Sequence, residues 1–118
     1  MLKPVSDFIA EAQAQCKCLN AESAKILFFD EADAVVIIDV REPHEAAESK
    51  LEHSINIPRG LLEMKITGHC PDHNTTILIH CAAGGRASLA AARLKEMGYT
   101  NAHPITAKFG DIKEVFES

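Results

Sequence analysis

The chain has 118 residues, which is enough for one domain with a hydrophobic core and too few for two. Hydrophobic residues make up 47% of the chain and charged residues 25%, a balance that is typical of soluble globular domains. The formal net charge of -5 and the lack of any basic cluster argue against a nucleic-acid-binding surface. We therefore expect one domain over 1–118, with an N-terminal helical extension over 1–19 and a core over 20–118.

No apolar stretch of the sequence is long enough to cross a bilayer, and the first residues lack the apolar segment of a signal peptide. A cytoplasmic location is the expectation that follows. The four cysteines stand at positions 16, 18, 70 and 81. We expect all four to be reduced thiols, because a chain of this length can build a core without disulfides.

Two helices are predicted before the first strand. Ser6 is a candidate N-cap for the first, whose inner face would carry Phe8, Ile9, Ala12 and Cys16. Asn20 is a candidate N-cap for the second, whose inner face would carry Ala24, Leu27 and Phe28.

Strands and helices then alternate along the chain. The apolar, β-branched run 34–40 predicts a strand covered on both faces, and Thr76–His80 predicts another. Short strands are predicted over 54–58 and 101–105. Helices are predicted over 42–48, over 60–67, from Arg86 to a stop at Gly98, and in a last segment with Phe109, Ile112 and Phe116 on one face.

This alternation predicts an α/β fold, a three-layer sandwich in which helices flank a mostly parallel central sheet. Ligands of such sheets bind at the carboxyl ends of the strands. Cys81 directly follows one predicted strand and Arg41 follows another. The sequence therefore places a candidate site at this edge of the sheet.

A loop of six residues, here called the Cys81 loop, joins the strand Thr76–His80 to an alanine-rich helix; it reads Cys81-Ala82-Ala83-Gly84-Gly85-Arg86. Its small residues leave backbone N–H groups free to converge in front of Cys81, and its glycines permit positive φ values. These N–H groups, the helix N-terminus and the Arg86 guanidinium all favour a thiolate and attract an anion. We predict that Cys81 is a nucleophile rather than a small buried hydrophobe.

The sequence resembles the rhodanese-like sulfurtransferases, in their single-domain form, from Asn20 to Phe116. Three motifs in this order carry the resemblance: Ile38-Asp39-Val40-Arg41-Glu42-Pro43 followed by Glu45, Ile55-Asn56-Ile57-Pro58-Arg59-Gly60, and Cys81-x-x-Gly84-x-Arg86 leading into Ser88. The resemblance implies a rhodanese-like fold. It also implies that Cys81 takes a sulfane sulfur from a donor such as thiosulfate, becomes a persulfide, and passes the sulfur to a thiol or to cyanide.

The predicted site residues follow from the loop and from this resemblance. Cys81 is the predicted catalytic residue, and the predicted substrate-binding residues are Ala82, Ala83, Gly84, Gly85, Arg86 and Arg59. The predicted partners are a small anionic sulfur donor, a thiol or cyanide acceptor and, as a further candidate, a sulfur-accepting protein. No cofactor, metal, membrane or nucleic acid is predicted to bind.

Two alternative functions remain open. Phosphatases and arsenate reductases of the same fold carry a loop one residue longer than this one, so we rank phosphate ester hydrolysis and arsenate reduction below sulfur transfer. The uncharged Ala82 and Ala83 leave room for a module that receives persulfide from a partner protein and has little activity on small donors. Such a module would be a sulfur carrier or a regulatory binding domain.

Other polar residues near the predicted site have structural interpretations. We expect Asp39 and Arg41 to stabilise a strand end. For Arg59, a position at the pocket mouth and a position on open surface fit the sequence equally well. We expect His80 to be a hydrogen-bonded core histidine, because neighbouring strand residues point to opposite faces.

The remaining cysteines are predicted to be structural. The segment 69–73 is interpreted as a polar loop rather than a metal site, with Cys70 as a candidate resolving cysteine. Cys16 and Cys18 would not face each other on a helix, so we expect them to be structural thiols.

Overall fold

The computed structural model describes residues 1–118, apart from the side chain of residue 32. Four parallel strands form one sheet in the order β2-β1-β3-β4; they are β1 (Val35–Asp39), β2 (Ser54–Asn56), β3 (Thr76–His80) and β4 (Ala102–Pro104). Six α-helices surround the sheet in the part of the chain described: α1 (Val5–Gln15), α2 (Ala21–Asp30), α3 (Pro43–Glu48), α4 (Leu62–His69), α5 (Gly85–Met97) and α6 (Phe109–Phe116). Short 3-10 turns occupy Ala32–Ala34 and Arg59–Leu61.

The two central strands, β1 and β3, are covered on both faces. Every residue of β3 is buried, and the strands pair in register from Val35 opposite Thr76 to Asp39 opposite His80. Continuous β-branched and leucine side chains suit this position, because each face of a parallel sheet packs against helices. The predicted α/β architecture is confirmed.

Two apolar clusters lie on opposite sides of the sheet and give the three layers. On one side α4 and α5 contribute buried side chains, namely Leu62, Ile66, Ala87, Ala90, Ala91 and Leu94. On the other side α2 and α6 contribute Ala21, Ala24, Phe28, Ile112 and Phe116. Alanines on α5 allow that helix to lie close to the strands, so the loop that precedes it is held against the sheet edge.

The N-terminal helix begins earlier than predicted. Pro4 is the N-cap of α1, no side chain caps this end, and Ser6 lies inside the helix. The predicted inner face is also only partly inward, since Ala12 is buried while Phe8 is 49% exposed. For α2 the prediction is confirmed, because the Asn20 side chain accepts a hydrogen bond from the Ser23 N–H at 2.8 Å.

Other element boundaries differ from the predictions by a few residues. Strand β2 ends at Asn56, because the chain then turns so that the Arg59 N–H donates to the Val40 carbonyl. A 3-10 turn precedes α4, which therefore starts at Leu62 rather than at residue 60. The helix stop at Gly98 is confirmed, with φ of 110°.

Within the described residues, none of the helices has both the length and the apolarity needed to cross a bilayer.

Candidate active site

Cys81 directly follows β3, and its sulfur faces the start of α5. The side chain is buried, with 1% of the residue exposed. The Gly84 N–H donates to Sγ at 3.1 Å and the Ala87 N–H donates at 3.3 Å. Two backbone dipoles and the N-terminus of a 13-residue helix thus stabilise negative charge at this sulfur.

The glycine at position 84 is required by geometry. Its φ is +99°, and a Cβ there would lie 3.2 Å from the Thr106 Cα. The prediction of positive φ is confirmed for Gly84 and wrong for Gly85, which is the first residue of α5. A Cβ at Gly85 would lie 3.1 Å from the Ile9 Cδ1, so a close approach by α1 explains that glycine instead.

Hydrogen bonds from neighbouring elements hold the carbonyls of the Cys81 loop away from the sulfur. The Phe109 N–H donates to the Ala82 carbonyl at 2.9 Å. The buried Ser88 hydroxyl donates to the Gly84 carbonyl at 2.7 Å and accepts from Gln13 Nε2 at 3.1 Å. With the carbonyls engaged elsewhere, the N–H groups are left to face Sγ.

Arg86 is paired with a carboxylate from α3. Its two terminal nitrogens donate to the Glu45 oxygens at 2.7 and 3.1 Å. The Arg86 hydrogen bond holds the pKa of Glu45 down at about 2, and the same bond raises the pKa of Arg86. The guanidinium charge at the loop is therefore locally compensated.

A second arginine–carboxylate pair lies at the end of β1. Arg41 donates from Nε and Nη2 to both oxygens of Asp39, the shortest distance being 2.8 Å, and from Nη2 to the Ser49 carbonyl at 2.7 Å. Asp39 is fully buried and Arg41 is 4% exposed. Asn56 donates to the carbonyls of both residues. This geometry supports the expected role of the pair in stabilising a strand end.

A family model matches most of the chain, including the Cys81 loop. The model of the rhodanese-like domain matches residues 21–107, which contain all four strands and the Cys81 loop. This chain is a rhodanese-like domain. Its four-stranded parallel sheet with flanking helices is the rhodanese fold that the resemblance implied.

Named relatives and solved structures extend this finding. The chain is 38% identical over 64 residues to the thiosulfate sulfurtransferase PspE of Escherichia coli. The matched stretch covers 54% of this chain and 62% of PspE, which is less than two thirds of the relative. A rhodanese structure with anions, also from E. coli, has TM-score 0.63 and 34% identity, covering 67% of this chain and 92% of that one. A Rhodopseudomonas palustris protein of unknown function, described as a possible tyrosine phosphatase, has TM-score 0.87 and 26% identity, covering 97% and 92%.

Arg59 of this rhodanese-like domain lies apart from the hydrogen bonds of the loop. Its guanidinium pairs with Glu63 at 2.8 Å. It also lines a cavity of about 420 Å³ between α1 and α5, together with Phe8, Leu89 and Arg93. Its predicted role in substrate binding stays a prediction.

His80 differs from the predicted hydrogen-bonded histidine. It is fully buried on the opposite face from Cys81, as alternation along β3 requires. Neither ring nitrogen has a hydrogen-bond partner among the described residues, and the imidazole instead stacks on the Phe109 ring. The sequence indicated the direction of this side chain but not what it contacts.

The other cysteines lie outside the Cys81 loop. All four thiols are free, Cys70 is buried, and Cys16 and Cys18 are half-buried. Burial raises the pKa of each of these three thiols, which disfavours their thiolates. Cys16 and Cys18 follow α1 rather than lying within it. Among the described residues, no group of three or more potential ligands is placed to hold a metal ion.

Several contacts of the site could not be found from the sequence alone. Glu45 belongs to a motif of the resemblance, but nothing in the residue order pairs it with Arg86. The Ala87 N–H lies beyond the six-residue loop, and the Phe109 N–H comes from another helix. A useful signal is the capping box of α3, in which Glu45 at N3 bonds the Glu42 N–H and so has a fixed position.

Proposed function

We propose that this chain is a sulfurtransferase that moves a sulfane sulfur through a persulfide on Cys81. The observation that carries the proposal is the Cys81 sulfur, held by two backbone N–H groups at the start of α5. Such a site stabilises a thiolate before reaction and a persulfide anion after it. Relatives named thiosulfate sulfurtransferase support the same class of reaction.

The proposed reaction has two steps. The Cys81 thiolate attacks the outer sulfur of thiosulfate, a Cys81 S–S bond forms, and the S–S bond of the donor breaks to release sulfite with its electron pair. A nucleophile, cyanide or a thiolate, then attacks the terminal sulfur, and the Cys81 thiolate leaves. No redox partner is needed, because each bond broken is matched by a bond formed.

The loop residues have distinct proposed roles in this reaction. The backbone of Ala82, Ala83, Gly84 and Gly85 would line the space for one sulfur atom, with N–H groups directed inward. Arg86, held by Glu45, would orient the loop and contribute to donor binding. Arg59 would add positive potential near the entrance. A cytoplasmic location, with a small anionic donor and a thiol acceptor, completes the proposal.

Mass spectrometry after incubation with thiosulfate tests the proposal. We expect the added mass of one sulfur atom, located on Cys81 by peptide mapping and removed by cyanide. Cys81→Ser should give no adduct, whereas Cys18→Ser, which removes a half-buried thiol away from the loop, should still give one. The absence of an adduct with thiosulfate, polysulfide and glutathione persulfide alike would overturn the proposal.

A partner-dependent sulfur carrier is the second candidate. Two observations favour it: the uncharged Ala82 and Ala83 in the loop, and the pairing of Arg86 with Glu45, which reduces the attraction for a free anion. In this case a partner persulfide would load Cys81 at a rate that small donors do not reach. Rapid turnover of thiosulfate and cyanide by the isolated chain would exclude the carrier, and Cys81-dependent hydrolysis of an aryl phosphate would instead support a phosphatase.

A further inference from the structure

The buried face behind Cys81 carries a stack that the proposed reaction does not use. His80 precedes Cys81 and is fully buried. Its imidazole stacks on the Phe109 ring, with centroids 5.7 Å apart and planes at 27°. The Arg41 guanidinium carbon lies 3.9 Å from the centroid of the same ring. Phe109 thus contacts both His80, the last residue of β3, and Arg41, which lies two residues beyond the end of β1.

Phe109 connects this stack to the Cys81 loop. Its N–H donates to the Ala82 carbonyl at 2.9 Å, and it is the first residue of α6. The ring and the N–H belong to one residue, so the packing of the ring against His80 and Arg41 helps to fix the position of the N–H that holds Ala82. The stack and the Cys81 loop are therefore linked through Phe109.

Burial favours a neutral imidazole at His80. The charged groups of the described chain that face the ring are Asp39 and Arg41, both from the end of β1, while α6 offers the apolar Phe109. Both Asp39 oxygens already accept from Arg41. Burial is the main reason why the pKa of His80 falls to about 4; the Asp39 charge and the Cys81 backbone oppose this shift, and the Arg41 charge adds to it.

We propose that His80 is a positioning residue that keeps the Cys81 loop ordered through Phe109 only while its imidazole is neutral. A proton on the ring places a second cation beside Arg41, and that cation competes for Asp39. The stack then loosens, the Phe109 N–H leaves the Ala82 carbonyl, and the N–H groups of Gly84 and Ala87 no longer converge on Sγ. Acid thereby releases the loop from the face opposite Cys81.

The test follows the loop directly by NMR, so it does not require sulfur transfer. The amide signals of Gly84, Ala87 and Phe109 are followed from pH 7 to pH 3.5 in the full-length wild-type chain, together with the His80 ring protons. We expect the amide signals and the His80 ring to titrate with one midpoint. In His80→Phe, which keeps an aromatic ring and cannot be protonated, the transition of the amide signals should disappear.

Alkylation of Cys81 by iodoacetamide provides a second readout. Alkylation slows in both proteins as pH falls, because the thiolate is the reacting form, so the comparison uses the ratio of the two rates. The ratio of the wild-type rate to the His80→Phe rate should fall by about threefold as His80 is protonated and the loop is released. Phe109→Leu keeps the N–H and removes the ring, and it should show the released-loop amide shifts already at pH 7.

Two results would overturn the inference: amide transitions of the same size in His80→Phe, or wild-type loop signals that ignore the His80 titration. If His80→Phe does not fold, His80→Gln replaces it as the non-titrating variant. The inference names a positioning residue for the proposed sulfur transfer and so rests on it for relevance, but the two fail separately. A missing persulfide adduct at pH 7 rejects the function, whereas a pH-independent loop rejects the role of His80.

Discussion

Two arginine–carboxylate pairs lie near the carboxyl ends of the central strands, and they differ in burial. Asp39 and Arg41 have side-chain exposures of 0% and 5%, whereas Glu45 and Arg86 have 27% and 36%. The buried pair is surrounded by protein and joins β1 to the Ser49 carbonyl after α3. The half-exposed pair is the one next to the candidate site.

The difference in burial implies a difference in role. Moving a charge into the protein interior costs several kcal/mol of desolvation. Removing one partner of a buried pair leaves the other charge unpaired and costs about 3–5 kcal/mol in stability. A half-exposed pair is hydrated and screened, and it is worth about 0–1 kcal/mol. The fold therefore depends on keeping both charges of the Asp39–Arg41 pair together, while the Glu45–Arg86 pair can tune charge at the loop with little effect on folding.

Removing Arg41 is the strongest way to test this comparison. Arg41→Met leaves the Asp39 carboxylate buried without its partner, and we expect a loss of about 3–5 kcal/mol in the free energy of unfolding. Urea denaturation at pH 7 measures it. The double variant Asp39→Leu/Arg41→Met removes both charges, and it should recover at least half of the loss. A single variant that loses less than about 1 kcal/mol would show that the buried pair behaves like a surface pair.

The dependence of stability on pH distinguishes His80, beside the buried pair, from Glu45, a member of the half-exposed pair. His80 has a folded pKa of about 4 beside the buried pair, below its ordinary value of 6.5. The unfolded chain therefore binds this proton first, and stability falls as pH drops from 6.5 toward 4, by about 3 kcal/mol. Glu45, with a folded pKa of about 2, favours the fold above pH 4.5, and this contribution is lost as pH falls through 2.

Denaturation of wild type and His80→Phe at several pH values checks this expectation. The slope of stability against pH between 6.5 and 4 should be smaller in His80→Phe than in the wild type. Glu45→Gln should keep the slope of that interval and reduce the one below pH 4.5. Equal slopes for His80→Phe and wild type between pH 6.5 and 4 would contradict the assignment.

Gly84 tests how tightly the Cys81 loop is held against Thr106. Gly84→Ala imposes a Cβ at positive φ and 3.2 Å from the Thr106 Cα, so we expect a loss of about 2 kcal/mol in stability. Gly98→Ala is the matched control, because Gly98 has φ of +110° but nothing within 4 Å of the added Cβ. It should lose about 1 kcal/mol, the cost of φ alone. Equal losses of stability in Gly84→Ala and Gly98→Ala would mean that the backbone at Thr106 moves aside and adds no cost.

Much of the fold was predictable because its signals are local. The β-branched runs of β1 and β3, the Asn20 cap and the Gly98 stop each depend on neighbouring residues. The first helix was misplaced by its cap, since Ser6 is a good N-cap residue but the helix starts at Val5, with Pro4 as its N-cap. Neighbouring cap candidates move the start of a helix by only one or two residues, and a sequence pattern does not separate them.

The candidate site was predictable only in part, for a related reason. Small residues after a buried strand indicated Cys81 and Gly84, because one loop supplies both the thiol and the donor. The pairing of Arg86 with Glu45 and the contact of Phe109 with Ala82 join elements far apart in the chain. His80 shows the limit most clearly: period-two alternation gave its direction, but its partners come from β1 and α6.

Glu45→Gln should have the smallest effect on folding and sharpens the comparison at the half-exposed pair. The amide oxygen can still accept from Arg86, so the loop keeps its support, while the charge of Arg86 is no longer compensated. Stability should change by at most about 1 kcal/mol. The KM for thiosulfate should fall by about three- to fivefold, because an uncompensated guanidinium attracts the anionic donor more strongly.

Steady-state kinetics with Glu48→Gln as the control distinguishes local from overall charge. Glu48 is an exposed glutamate on the same helix, so the two variants have the same net charge. A similar fall in KM for both would assign the effect to net charge alone. The opposite result, a rise in KM of about tenfold in Glu45→Gln with folding intact, would mean that the Glu45 carboxylate positions the loop for the donor. Because a half-exposed pair contributes little to stability, such an effect would come from the geometry of the loop.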